Sequence, residues 1–299
     1  MAMTSPAPPS VVPASPGWAP DHRWAPGAGW GAKPLDGLAT ALTVLLGVAT
    51  LTSLFGAAAF ANRVSAVGDV GQDGLFASLD RLDDADSLAG GAMALHIVVF
   101  IATAVVFIIW QHRHARNATM LRGQLDLGSG WAIGGWFIPV ANYVLPGLQI
   151  RGAAKASDPG LAPGAPRQQG RCPAVVALWA VAFGGGSALL GVSVATRPDQ
   201  DELGLDLTTV FQDFERADTV GAAAFAALVV AALAGLAMVR QLSRRQQVAL
   251  GAASTAWAPP PPAPPPPWGP AAARVGQPWP PPAPVVSPAP APPPPPPPP

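Results

Sequence analysis

Charge is the first thing this 299-residue chain lacks: 11% of its residues are Asp, Glu, Lys or Arg, where a soluble domain carries about a quarter. That excludes an ordinary water-exposed surface over most of its length. Net charge is zero, so the total gives no sign of nucleic-acid or other polyanion binding. The single cysteine, Cys172, rules out an internal disulfide and any paired-thiol metal or redox motif. There is one tyrosine, Tyr143, and only two lysines, Lys33 and Lys155. Enzyme signatures are missing as well. The chain has no Gly-Lys phosphate loop, no G-x-S-x-G elbow and no H-E-x-x-H pair. The sequence therefore reads as a non-enzyme, with no cofactor and no metal site.

What is present is apolar residues, 50% of the total, and 39 prolines. Eight prolines lie before residue 35 and 24 after residue 258. Four uncharged runs, Leu38–Phe60, Leu88–Trp110, Ala174–Thr196 and Thr219–Val239, are long enough as helices to cross the ~30 Å hydrocarbon layer. The fold class expected is an all-α membrane protein with four transmembrane helices. Residues 1–34 form a Pro- and Trp-rich tail, 35–245 the membrane domain, and 246–299 a second Pro-rich tail. Both tails lack the means to build a core, which predicts disorder with polyproline II character. Ala59-Phe60-Ala61 has the small-residue pattern of a signal-peptidase site, but the long leader without a basic cluster favours an uncleaved anchor.

A fifth run, Trp131–Ile150, is also uncharged, yet it holds Pro139 and Pro146, each of which interrupts a helix. Arginine placement decides whether it crosses. With residues 128–150 not crossing, 13 of the 17 basic residues fall on the side of the N-terminus; if they crossed, 7 would. The other four are Arg63, Arg81, Arg197 and Arg216, in two outer loops that also hold 13 of the 17 acids. The reading is a kinked, membrane-embedded elbow on the cytoplasmic face, with Trp131, Trp136 and Tyr143 at the headgroup level. Both termini are then cytoplasmic, in a multi-pass protein of the plasma membrane.

Arg116-Asn117, followed by Gly130, Trp131, Gly134, Gly135, Trp136, Phe137, Ile138, Pro139 and Asn142 in the string GWAIGGWFIPVAN, resembles the motif of an actinobacterial membrane-protein family catalogued as a domain of unknown function, number 4328. The resemblance runs over roughly residues 35 to 245. It implies several spans with this motif between them, and no established activity. Past Leu145, Gly147 and the alanines around Lys155 depart from the regular amphipathic helix that the resemblance implies. PGWAPDHRW, residues 16–24, is similar to a short Trp-Pro-Asp module that often precedes such domains.

Other features carry weaker signals. His96 is the only ionisable side chain inside a span, which makes it a functional candidate, although a hydrogen-bonded packing role is the plainer reading. Thr43 belongs to a stripe with Thr40, Gly47 and Thr50; Ala223, Ala227, Ala231 and Gly235 form another, and Ala182 with Gly186 a third. His112 and His114 read as basic flanks, and Arg240, Arg244 and Arg245 as neighbours of anionic lipid. Residues 73–86 and 206–218 read as short acidic helices before spans two and four, with a solvated face preferred over cation capture. Span, acidic helix, span then occurs twice in one orientation, the pattern of a parallel repeat about the membrane normal. The tails hold six of the ten tryptophans, set beside prolines. The function expected is structural or scaffolding, with the lipid bilayer and a cytoplasmic protein as partners and no nucleic acid. The alternative is a small transporter or channel subunit with His96 and Thr43 lining a water-filled path.

Overall fold

The computed structural model describes residues 31–162, 164–198 and 207–256, and the regular structure among them is helical. Six α-helices follow in order: α1 (Asp36–Asp73), α2 (Leu75–Arg122), α3 (Trp131–Gly134), α4 (Leu145–Ala156), α5 (Ala174–Ala195) and α6 (Leu207–Ala256). Four of them, α1, α2, α5 and α6, are long and apolar enough to cross a membrane, with mean hydropathy between 1.9 and 2.7. Pro-rich tails, and with them the Trp-Pro repeats and the PGWAPDHRW stretch, lie outside the described residues.

The long helices overrun the apolar runs. The acidic stretch at 73–86 is not a separate helix: α1 continues past Phe60 to Asp73, and α2 starts two residues later. Gly74 alone joins them at φ 86°, a left-handed value that suits glycine, and its N–H closes α1 on the Val70 carbonyl at 3.1 Å. The described part of the second acidic stretch is likewise the start of α6, which at 50 residues is about 75 Å long and must project beyond the bilayer. It runs through residue 246 to Ala256. Between Gly123 and Ala174 the chain makes only short elements, and α4, at 12 residues, spans about 18 Å and cannot cross.

α6 is the axis of the bundle. Half of its apolar window is buried inside the protein, against 22%, 22% and 17% for α1, α2 and α5. It packs along both α1 and α5, α1 packs along α2, and α4 lies on both α2 and α5. A parallel repeat would pack α2 along α5 as closely as α1 along α6; instead α4 occupies that position, so the pairs are not related in this way. The main core joins Leu42, Leu46, Phe107, Trp110, Ile150, Trp179, Met238 and Leu242, and a second cluster at the Arg63 end joins Phe60, Ala89, Phe225 and Leu228.

Close approach between helices follows some of the small residues. A Cβ on Gly186 would sit 3.2 Å from the Ala227 methyl, and one on Gly235 3.2 Å from Trp179. The threonine stripe of α1 does not pack: Gly47 faces open space, Thr40 is exposed, and Thr43 and Thr50 donate to their own helix at Ala39 and Leu46. The α1 contact face is instead the one carrying Leu42, Leu46, Ser53, Gly56 and Phe60.

Candidate functional site

The elbow is broken, but its backbone is satisfied locally. From Gly128 to Phe137 successive turns pair the amides, Trp131 to Gly128, Gly134 to Gly130, Gly135 to Trp131 and Phe137 to Gly134. This removes the cost of bare polar backbone beside lipid. Ala141 N–H then donates to Pro139 O at 2.7 Å, a γ-turn centred on Val140 at φ 65°, ψ −47°. Asn142 closes the following turn on Ile138 through its backbone, while its side-chain oxygen is buried without a partner. Gly135 is required by space, since an added Cβ would meet Trp131 O at 2.8 Å; Gly134 faces open space.

Two faces result. Phe137, Ile138, Val140, Val144 and Leu148 are exposed, an apolar surface suited to acyl chains, and Trp131 and Tyr143 are exposed to a similar degree as Ile138. Ala132 is fully buried. Trp136 also turns inward, contrary to the headgroup position expected of it. Its Nε1 donates to Gln111 Oε1 at 2.9 Å, and its ring meets Phe107 and Phe183 edge-on. Gln111 in turn donates to Gln149 Oε1 at 2.9 Å. The regular α4, with Pro146, Gln149, Ile150, Ala153 and Ala154 buried along one face, corrects the irregular exit expected past Leu145.

A second polar layer lies one to two turns further along α2. Asn117 accepts from Lys33 N–H at 3.1 Å and donates to Lys33 O at 2.9 Å and Gln246 Oε1 at 3.3 Å. Gln246 Nε2 donates to His114 O and Ser157 Oγ, both at 2.9 Å. Trp110 Nε1 donates to Ser243 at 3.0 Å. His114 is no basic flank: it is fully buried and stacked on Trp110 at 5.2 Å. His112 pairs with Ser129 O at 3.0 Å. Sequence reasoning missed Gln111, Gln149 and Gln246; their signal was uncharged amides standing where a span meets its flank.

The loop between α4 and α5 is held by arginine. Arg245, expected to face lipid headgroups, bonds Asp158 at 2.9 Å and Arg171 O at 2.7 Å. Burial pushes the Asp158 carboxyl up, but the N–H groups of Arg171 and Gly160 and the Arg245 and Arg171 guanidiniums outweigh it and hold Asp158 below the ordinary carboxylate range. Burial raises the Cys172 thiol, which suits an inert cysteine.

His96 is 7% exposed, edge-on to Phe225 at 5.0 Å and stacked beside Phe100, and its Nδ1 has no partner. Its packing is therefore aromatic. The ring borders a cavity of about 70 Å³ shared with Ser53, Phe100, Thr103, Trp136 and Trp179. Most of its other lining residues, Leu46, Phe107, Leu228 and Ala231 among them, are apolar. Thr43 is not on it. From His96 the rings of Phe100, Phe183, Trp179, Phe107, Trp110 and His114 continue in contact, with successive centroids 6.4, 6.4, 5.5, 5.2, 5.5 and 5.2 Å apart.

At the Arg63 end, Asp80, Asp83, Asp84 and Glu215 are exposed, as a solvated face requires, but Asp218 is not. Asp218 is fully buried and accepts from Arg63 Nη1 at 2.8 Å on both oxygens and from Arg197 Nη2 at 2.9 Å. Arg63 Nε bonds Asp86, and the two guanidiniums lie over Phe214 and Phe60. Among the described residues no three His, Cys, Asp or Glu side chains converge on one point.

Four apolar helices, an uncrossed elbow and polar layers at the helix ends define an all-α, multi-pass membrane protein. Within that class, the chain belongs to the family described as a domain of unknown function, number 4328, whose profile matches residues 73–249. The match takes in α2, the elbow, α4, α5 and most of α6, and starts at the last residue of α1 rather than near residue 35. No curated protein and no solved structure matches the chain.

Proposed function

We propose that the protein is a scaffold of the plasma membrane, a rigid four-helix anchor whose Pro- and Trp-rich tails engage cytoplasmic protein partners. The observation that carries this reading is the filled axis. Phe107, Trp110, His114 and Trp179 are buried in contact with one another along the interior, and the cavity beside them is small and mainly apolar. The transporter reading asks for His96 and Thr43 on one aqueous path, and the Thr43 hydroxyl is taken up by Ala39 O away from that cavity. Cytoplasmic placement of both termini is supported by the arginine distribution.

Two measurements test the proposal. Truncation after Ala256 should leave an inserted protein that no longer recovers its partners in affinity purification, while His96→Leu should leave them bound. Partner recovery by the truncated protein, with loss on His96→Leu, would overturn it. Phosphatase fusions after Gly74 should be active and those after Gly160 silent; activity after Gly160 would reverse the orientation of everything beyond the elbow.

A further inference from the structure

The Arg63 end of the bundle also holds a larger, open cavity of about 400 Å³, within the roughly 300–1,000 Å³ range of small-molecule sites. Its lining changes in character along α2. Asp86, Gly90, Met93 and Ile97 follow one another at spacings of four, three and four, so they share one helix face about 16 Å long. Arg63 and Arg197 stand at the Asp86 end, and the opposite end is apolar. Polar at the boundary and apolar toward the bilayer centre is the profile of a lipid, head to chain.

Donor placement chooses the head. Asp218 is buried and shared by two guanidiniums, and Arg63, Arg197, Asp86 and Asp218 sum to zero charge, so selection rests on which donors face the cavity. Asp86, more than half exposed, sits at the rim and answers Arg63 through Nε. Arg197 gives one N–H to Asp218, and its side chain is 34% exposed on the cavity wall. A guanidinium has five donors in a fork that matches a phosphate. The groove beneath is kept open by small side chains: a Cβ on Gly90 would meet nothing within 4 Å.

We propose that this cavity binds one anionic phospholipid, its phosphate on Arg197 and one acyl chain along Gly90, Met93 and Ile97. A soluble anion would leave the apolar wall without a partner, and an uncharged chain would leave the donors that Arg197 does not give to Asp218 unused.

The test uses the full chain in an uncharged detergent and counts lipid adducts by native mass spectrometry. Dioctanoyl phosphatidylglycerol should bind saturably, one per protein, at least about tenfold more tightly than dioctanoyl phosphatidylcholine, one charge-assisted contact's worth. Inorganic phosphate should not displace it. Gly90→Leu, built from a position where an added Cβ meets nothing within 4 Å, should abolish binding, and Arg197→Gln should erase the preference between the two lipids. Equal binding of both lipids, no saturable binding, or displacement by phosphate at matched concentration overturns the proposal. So does unchanged affinity in Gly90→Leu, which decides the matter even if Arg197→Gln fails to fold.

Discussion

Val140 holds a backbone conformation that costs a β-branched residue on the order of 1–3 kcal/mol. Its side chain is 78% exposed, so its loss removes no core packing. Val140→Gly should therefore raise stability by about 1 kcal/mol, once glycine's entropy is set against the relieved strain. A thermal melt in detergent would show it. Asp158 gives a pH-dependent counterpart. Its folded carboxyl is held below the ordinary range, so its contribution is complete above the unfolded value and disappears as pH falls through the depressed folded one. Asp158→Asn should cost about 1–3 kcal/mol at neutral pH, and the gap from the native protein should close in acid. A constant gap across the titration would show that the carboxyl charge contributes nothing.

The elbow is secured to the bundle through a few long-range bonds. Trp136 reaches Gln111 across 25 positions of sequence, and Gln111 reaches Gln149 across 38. Trp136→Phe keeps an aromatic ring but leaves a buried amide oxygen unpaired, at about 1–3 kcal/mol. Limited proteolysis should then cut faster near Gly128. The break in the elbow was legible because Pro139 and Pro146 act locally, on their own turns. The inward turn of Trp136 was not. A segment without helical or strand period has no face to read, so an amphipathic aromatic looks interfacial until its partner is known. The same holds in part for His114: Trp110 is its neighbour four residues back on α2, but Gln246 reaches it from α6, and that packing between helices cannot be read from spacing along one.

At the scale of the whole molecule, four spans were legible because bilayer thickness imposes a minimum apolar length. Where the helices end was not, since nothing in an acidic flank distinguishes a new helix from the continuation of an old one. Asp218 shows the consequence: grouped by sequence with solvated acids, it is the fully buried centre of an ion cluster. Asp218→Asn leaves two guanidiniums without their shared partner and should destabilise the bundle by about 3–5 kcal/mol, measured by unfolding in mixed micelles. A cost below about 1 kcal/mol would mean that water or lipid already compensates the arginines.

That cluster also orders events in time. Arg63 and Asp218 are 155 residues apart, so at about 5–20 residues per second Arg63 is made roughly 8 to 30 seconds before its carboxylate is. Throughout that interval the nascent hairpin of α1 and α2 carries a guanidinium at the bilayer boundary with only Asp86 beside it. A chain interrupted before α6 therefore keeps Arg63 without its buried carboxylate, a difference in boundary charge that the completed bundle does not show.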